Sequence, residues 1–129
     1  MKAKGIVTIA NVWGETEAVH AKGVKRLSDS AVDAIELNLS CPHAEGYGLA
    51  LGRDPDLVEE CTRAVARYDL PVWVKLTPNV GDITEIGQAA ERGGADALVA
   101  INTLRAMRIS TELRRPVLGN RFGGLSGPA

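Results

Sequence analysis

The segment Asn38-Leu39-Ser40-Cys41-Pro42-His43 brings an amide, a thiol, a proline and an imidazole together over six positions. A free cysteine titrates at about pH 8.5, so a modest electropositive environment can adjust its thiolate for general-base catalysis near neutrality. The alternative for an isolated cysteine is a small buried hydrophobic residue. Because Cys41 follows a strand-like run and precedes a rigid proline, we interpret it as a catalytic base, and we interpret Cys61 as a buried residue.

Three other apolar runs also end in polar side chains, at Asn11, at Lys75 and at Asn102-Thr103. A lysine at such a position can supply a fixed cation to a ligand, or it can pair with Glu36 inside the fold, and the two roles are compatible. Amides donate and accept hydrogen bonds at once, which suits a polar ring as ligand, although an asparagine at a strand end also serves as a turn cap. These side chains are therefore candidates for ligand binding.

Strands and helices in alternation must position these groups. Runs rich in Val, Ile or Leu predict strands at residues 6–11, 34–38, 72–76 and 97–102. Helices are predicted over residues 15–27, after the Asp54-Pro55 cap, and from Asp82 to the Gly93-Gly94 pair. The residues expected to face the core from the three helices are Val19, Val24 and Leu27; Leu57, Val58, Cys61 and Val65; and Ile83, Ile86 and Ala90.

This alternation predicts a parallel sheet with right-handed crossovers. Side chains alternate across a strand, so Ile35 and Leu37 are expected to face the helices while Glu36 and Asn38 share the opposite face. That face becomes polar toward the C-terminal end of each strand, as at the mouth of a (β/α)8 barrel. A doubly wound sheet would more often carry a glycine-rich phosphate turn after its first strand, and none is present there. The predicted fold is α/β, a partial (β/α)8 barrel with about four parallel strands.

Composition excludes several classes of protein. The sequence is 45% hydrophobic and 24% charged with a net charge of -1, which is typical of a globular domain and does not indicate nucleic-acid binding. No run approaches the roughly 18 apolar residues of a membrane span, and we expect a cytoplasmic protein. Two cysteines lack the count and spacing of a disulfide framework or a zinc site. From residue 102 onward five arginines and one acidic residue give a local charge of +4, interpreted as a solvated surface or, less favoured, a phosphate or partner surface.

Four motifs carry a resemblance to a known family, and they span nearly the whole chain. They are Asn38-Leu39-Ser40-Cys41-Pro42-His43, Val74-Lys75-Leu76-Thr77-Pro78-Asn79-Val80, Ile101-Asn102-Thr103 and Gly123-Gly124-Leu125-Ser126-Gly127-Pro128-Ala129. In order and spacing they resemble class 1 dihydroorotate dehydrogenases, and the last two are most similar to the class 1B branch, whose archaeal members share the Ser-Cys-Pro-His form. The resemblance implies an FMN-dependent barrel that oxidises dihydroorotate to orotate in de novo pyrimidine biosynthesis.

The resemblance also implies roles for individual residues. Cys41 matches the base that removes a proton from C5 of the substrate while hydride leaves C6 for the flavin. Lys75 matches the lysine near the flavin N1 and O2 edge, where a fixed cation stabilises negative charge on the reduced ring. Asn11 and Asn38 match asparagines that line the flavin and the substrate.

Five further residues are assigned by the same resemblance. Asn102 and Thr103 match the pair that hydrogen-bonds the pyrimidine, and His43 lies at a position close to the bound pyrimidine. Ile101 is expected to lend a backbone contact to the flavin, and Gly127 is expected to allow its close approach. Many family members have Asn where this chain has His43. Dihydropyrimidine dehydrogenase, which reduces uracil and thymine, also has Ser-Cys-Pro-His, so it is the alternative, with Cys41 then donating a proton to C5.

The family also sets expectations for the extent of the protein and for its partners. Relative to the family, residues 1–129 are expected to cover the third to the sixth barrel strand of an incomplete FMN-dependent domain, with negligible turnover on its own. A non-catalytic half-barrel module is the alternative. Class 1B enzymes pair with an iron-sulfur flavoprotein electron-transfer subunit, which is therefore an expected partner, and the arginine-rich segment could border that contact. The full-length protein is expected to be an oligomer.

Overall fold

The main sheet has four parallel strands, each next to the strand that precedes it in the chain. The computed structural model describes residues 5–39 and 51–128. The strands are β1 (Ile9–Trp13), β2 (Ala34–Asn38), β3 (Val72–Lys75) and β4 (Ala97–Val99). Their spatial order, β1-β2-β3-β4, does not reverse as it does in a doubly wound sheet. The predicted partial (β/α)8 barrel is therefore confirmed.

Within residues 5–39 and 51–128, three helices that each begin with a side-chain cap connect these strands. They are α1 (Glu17–Leu27), α2 (Pro55–Ala66) and α3 (Ile83–Arg92). The caps are Thr16, Asp54 and Asp82, whose side-chain oxygens accept hydrogen bonds from backbone N–H groups of the first turn. The caps predicted at Asp54 and Asp82 are confirmed. They set where α2 and α3 begin.

The core lies between the helices and one face of the sheet. Alternation is as predicted, because Ile35, Leu37 and Val74 are fully buried on the helical side while Glu36 and Asn38 are only half-buried on the other. The helices contribute further buried residues, namely Val24, Val58, Cys61, Val65, Ile86, Ala89 and Ala90. The predicted core positions Leu27 and Ile83 pack at the edge of this cluster.

The core positions predicted for Val19 and Leu57 are wrong. Val19 is 50% exposed, and Leu57 is 36% exposed. On α1 the buried position belongs to His20, whose Nδ1 lies 2.9 Å from the carbonyl oxygen of Thr16. Burial lowers the pKa of His20 below its ordinary value, outweighing the opposing effect of nearby backbone carbonyls. Hydrophobicity alone could not identify this position, because the buried ring is polar and satisfies one nitrogen on its own helix.

Three of the four strands differ from the prediction in their boundaries, and the third ends at Lys75 rather than at residue 76. The first strand begins at Ile9 rather than at residue 6, and Ile6 and Val7 are exposed. The reason is that the partner strand β2 starts only at Ala34, which pairs with Ile9, so the ladder has no partner for the earlier apolar residues. The last strand ends at Val99 rather than at residue 102.

Two antiparallel ribbons follow the sheet, in the arginine-rich segment for which the sequence predicted no strands. Strand β5 (Leu104–Ala106) pairs with β8 (Gly123–Leu125), and β6 (Ile109–Ser110) pairs with β7 (Arg115–Pro116). All five arginines of this segment are exposed, as predicted for a solvated surface. The guanidinium carbon of Arg105 lies 4.3 Å from the ring centre of Phe122, a cation–π contact between β5 and the turn before β8.

Within the two described ranges, no helix is long and apolar enough to cross a membrane. The same part of the chain contains no group of three or more His, Cys, Asp or Glu side chains that could hold a metal ion.

Candidate active site

Two rows of side chains cross the sheet on the face that points away from the helices. The register places Asn11, Glu36, Trp73 and Ala97 in one row. The next row, nearer the C-terminal ends of the strands, contains Trp13, Asn38, Lys75 and Val99. Parallel strands in register present paired residues on the same face, so the predicted polar side chains do converge. The candidate site is built on these two rows.

Glu36 is the centre of the first group of contacts. Its Oε1 accepts a hydrogen bond from Asn11 Nδ2 at 2.5 Å and lies 3.1 Å from Lys75 Nζ. The side chains of Glu36 and Lys75 are each 21% exposed, so water screens the pair less than it would at an open surface. The ion pair predicted as an alternative role for Lys75 is therefore present. It holds the ammonium group in place on the strand position that pairs with Asn38 in the cross-strand register.

The position of Asn11 corrects a prediction. It lies in the middle of β1, not at the end of its strand, and it stands level with Glu36 rather than with Asn38. The strand continues for two more residues to Trp13, which occupies the row of Asn38 and Lys75 and is 57% exposed. The sequence contained the signal for Trp13, because it lies two residues after Asn11 and therefore on the same face of β1.

Asn102 joins the sheet to the segment that follows it. Its Nδ2 lies 3.4 Å from Asn38 Oδ1, and its backbone N–H donates to the carbonyl oxygen of Leu76 at 2.8 Å. Its own Oδ1 accepts from the backbone N–H of Thr103 at 2.8 Å. Asn38 and Asn102 are thus brought together although 64 positions separate them in sequence. This contact connects the end of β2 with the chain after β4.

Four of the predicted site residues line a cleft of about 180 Å³. The lining residues are Ile101, Asn102, Thr103, Leu104, Leu125, Ser126 and Gly127. Gly127 has a φ of +101°, a left-handed conformation that side chains rarely adopt, and a Cβ there would meet no atom within 4 Å. Among the described residues, the left-handed backbone conformation, rather than a close contact, accounts for a glycine at position 127. The cleft has one wall from the exit of β4 and the other from β8.

Sequence reasoning missed Asn79 as a site residue. Its side chain donates to the carbonyl oxygen of Thr103 at 3.1 Å and accepts from the backbone N–H of Arg105 at 2.8 Å. It also donates to Thr77 Oγ1 at 3.2 Å. The signal was a polar residue inside the Leu76-Thr77-Pro78-Asn79 motif, but only the fold brings that motif to the wall of the cleft.

Cys41 and His43 lie outside the described residues, so their predicted roles stay predictions. The buried position predicted for Cys61 is confirmed, since it is 1% exposed in the core. Desolvation raises the pKa of this thiol to about 12, and the nearby carboxylates of Glu17 and Glu60 add to the effect. Cys61 is therefore a structural residue and not a second nucleophile.

Comparison with known proteins extends these observations to the whole chain. The sequence model of the dihydroorotate dehydrogenase family matches residues 2–129. The chain is 59% identical over 122 residues to a protein of Methanosarcina mazei named dihydroorotate dehydrogenase B (NAD(+)), catalytic subunit, covering 94% of this chain and 39% of that protein. Proteins of the same name from Methanocella arvoryzae and Pyrococcus horikoshii are 54% and 52% identical, covering 99% and 93% of this chain and 42% and 40% of theirs.

These relatives bear on two of the sequence predictions. The name of these relatives confirms the resemblance to the class 1B branch. The chain spans about 40% of the length of these curated relatives. Because the family match covers all but the first residue and agrees with the fold and the convergence of the strand-end side chains, the chain belongs to the dihydroorotate dehydrogenase family.

Proposed function

We propose that this chain forms part of the active site of a class 1B dihydroorotate dehydrogenase, which oxidises dihydroorotate to orotate in pyrimidine biosynthesis. The observation that carries the proposal is the polar cluster of Asn11, Glu36, Lys75, Asn38 and Asn102 on one face of the sheet, within a sequence that matches the family along its length. On this proposal residues 1–129 are an incomplete barrel domain that acts together with the remaining strands.

The cluster fits FMN as cofactor. It contains a cation paired with the Glu36 carboxylate and several amides, and the ammonium and amide groups suit the polar edge of a flavin ring, which carries both donors and acceptors. When bound, FMN would accept the hydride that leaves C6 of dihydroorotate. Lys75, Asn11 and Asn38 would hold the ring, with the backbone of Ile101 and the region of Gly127 contributing from the cleft.

Lys75 is proposed to supply a fixed positive charge next to the cofactor. Glu36 orients the ammonium group through the 3.1 Å ion pair, so little reorganisation is needed when negative charge develops nearby. Asn11 shares the same carboxylate oxygen and therefore fixes the rotamer of Glu36. A preorganised cation of this kind stabilises the product side of the reaction more than a mobile surface lysine could.

Cys41 is proposed as the base that takes the proton from C5 while the hydride leaves C6, so that the C5=C6 double bond of orotate forms. The amide of Asn102 and the hydroxyl of Thr103 line the cleft and would bind the pyrimidine, with His43 as a further contact. A pyrimidine dione presents alternating N–H and C=O groups, and a side-chain amide can pair with both.

The electron acceptor is proposed to be an iron-sulfur flavoprotein subunit, because the relatives are named as catalytic subunits of an NAD(+)-linked enzyme. We also propose a cytoplasmic location and an oligomeric state for the full-length protein. The exposed arginine-rich ribbons are a candidate border of the contact with the partner subunit.

A chimera tests this function. This sequence is placed in the Methanosarcina mazei catalytic subunit in exchange for the matching 122 residues, which supplies the rest of the barrel. We expect the purified chimera to carry FMN and to lose its flavin absorbance when dihydroorotate is added without oxygen. The same chimera is also assayed for reduction of uracil by an external reductant. Reduction of uracil without any oxidation of dihydroorotate would refute the choice of dihydroorotate.

Matched variants of the chimera separate the roles of the residues. Lys75→Met keeps the length of the side chain without its charge, and it is expected to slow flavin reduction by about 10²–10³-fold. Lys25→Met is the control, because Lys25 is an exposed lysine in the last turn of α1. Equal rates in the two variants would contradict the role of Lys75. The isolated 129-residue chain is expected to show negligible turnover and weak FMN retention, and full activity of that chain would contradict its part-barrel assignment.

A further inference from the structure

The carboxamide of Asn79 joins three parts of the site. Asn79 follows β3, is half-buried, and uses both ends of its side chain. Its Nδ2 donates to Thr103 O at 3.1 Å and to Thr77 Oγ1 at 3.2 Å, and its Oδ1 accepts from Arg105 N at 2.8 Å. Both the nitrogen and the oxygen of the amide therefore have hydrogen-bond partners.

The pattern of these bonds imitates a strand. In a parallel ladder one residue donates its N–H to the residue before its neighbour and accepts from the N–H of the residue after it. The Asn79 amide does this with Thr103 and Arg105, which flank Leu104. Leu76, directly after β3, bonds to the same segment through its backbone, since Leu76 N donates to Val99 O and Leu76 O accepts from Asn102 N. The side chain of Asn79 thus continues the pairing of β3 beyond the point where its own backbone has turned away.

This added link acts on one wall of the cleft. Asn102 and Thr103 line the cleft and Arg105 belongs to β5, so the amide binds the chain immediately after both candidate pyrimidine contacts. On the other side of the cleft, Gly124 pairs with Arg105, and a Cβ on Gly124 would lie 2.3 Å from Thr103 Oγ1. Thr103 is therefore held between β8 and the peptide bonds that Asn79 anchors. A shift of this segment by an ångström would move both ligand-binding side chains.

We propose that Asn79 is a positioning residue that holds Asn102 and Thr103 in their substrate-binding arrangement, an inference that rests on the proposed function for its link to dihydroorotate. Asn79 does not need to touch the substrate. Its effect is exerted through the carbonyl group of Thr103 and the N–H group of Arg105. Loss of the amide is expected to weaken substrate binding more than the chemical step.

The first test examines the hydrogen bonds of the Asn79 amide, called the tether below, without any cofactor or substrate. Hydrogen exchange of backbone amides is measured by NMR in the 129-residue chain and in Asn79→Ala. Because the Arg105 N–H donates to Asn79 Oδ1, its exchange is expected to become about tenfold faster or more in the variant. Asn120→Ala is the matched control, since Asn120 is exposed in the turn before β8. Unchanged protection of the Arg105 amide in Asn79→Ala overturns the proposal.

The second test measures catalysis in the chimera described above. Asn79→Ala is expected to raise the KM for dihydroorotate by about 10–100-fold with a much smaller change in kcat, and to leave FMN content unchanged. Asn79→Asp keeps the acceptor for Arg105 but places a carboxylate oxygen against the Thr103 carbonyl. Protonation restores a donor at that position, so the KM defect of Asn79→Asp is expected to shrink as the pH falls, which a loss of folding would not produce.

The outcomes separate this proposal from the proposed function. Faster exchange at Arg105 with an unchanged KM overturns the positioning role, as does a KM defect equal to that of Asn120→Ala. An unsubstituted chimera that binds FMN without oxidising dihydroorotate overturns the proposed function and, with it, the link to substrate. In that case the exchange result still decides whether the tether exists.

Discussion

Replacement of Gly93 by alanine is expected to destabilise the protein through one crowded helix contact. A Cβ at Gly93 would lie 2.6 Å from Thr62 Cβ and 2.7 Å from the carbonyl oxygen of Glu59, both on α2. Carbon atoms in contact are ordinarily about 3.5–4.0 Å apart, so α2 and α3 would have to separate by about 1 Å. The backbone of Gly93 is not strained, because its φ is -72° and any residue can adopt it.

The magnitude follows from this geometry. Insertion of one methyl group into a close-packed contact costs about 1–3 kcal/mol, and one of the two clashing groups is a helix carbonyl that cannot rotate away. We therefore expect Gly93→Ala to lower the free energy of unfolding by about 2 kcal/mol. Urea denaturation followed by circular dichroism measures this change, with equal slopes in the two proteins as the condition for comparison.

Four further variants, at Gly93, Gly94 and Gly81, identify the cause. Gly94 has a φ of +96°, so Gly94→Ala is also expected to destabilise, but through its backbone, and Gly94→Asn is expected to be milder because asparagine tolerates this conformation. For Gly93 the larger asparagine side chain should be worse than alanine. Gly81→Ala is the control, since a Cβ there meets nothing within 4 Å. A Gly93→Ala protein as stable as Gly81→Ala would refute the crowding at α2 and α3.

Three other predictions concern single residues. Because the pKa of Cys61 is about 12, its thiol is expected to react with iodoacetamide at pH 8 on the order of 10³-fold more slowly in the folded chain than in urea, and equal labelling by mass spectrometry would contradict its burial. Burial lowers the pKa of His20, so at mildly acidic pH the unfolded chain binds a proton on this ring more readily than the folded chain does. The contribution of His20 to the free energy of unfolding is therefore fully present above pH 6.5. It is lost as the pH falls below that value, by at most about 1.4 kcal/mol per pH unit. His20→Leu should remove this part of the slope in pH-dependent urea titrations, and an unchanged slope would count against it. Asp54→Ala removes the cap of α2 and is expected to lower the free energy of unfolding by about 1 kcal/mol, whereas Asp54→Asn should largely preserve it.

Much of the site could be predicted from the sequence because its polar residues end apolar runs. Alternation along β2 correctly placed Asn38 on the face opposite the core, and the polar end predicted for the next strand correctly placed Lys75 there. The motif that contains Asn102 and Thr103 was correctly assigned to the same end of the sheet, and the fold brings Asn102 within 3.4 Å of Asn38. For Cys41 and His43 the sequence remains the only guide. Asn11 was assigned to a strand end because the apolar run stops there, whereas the strand itself continues to Trp13.

The sequence by itself determined the features that depend on a few neighbouring residues. Asp54 and Asp82 cap their helices with bonds to the next two or three residues, and the Gly93-Gly94 pair ends α3 through local backbone geometry. Such signals operate within one turn of chain, so no distant partner is needed for them to act.

Only the tertiary structure decided the features that depend on distant partners. The start of β1 follows from where β2 begins. Glu36 bonds to both Asn11 and Lys75, which lie on the two neighbouring strands. Asn79 has a role because the fold carries residues 103–105, more than twenty positions away, into reach of its amide. These contacts become available only after the strands have paired, since the residues that make them are not neighbours in the unfolded chain.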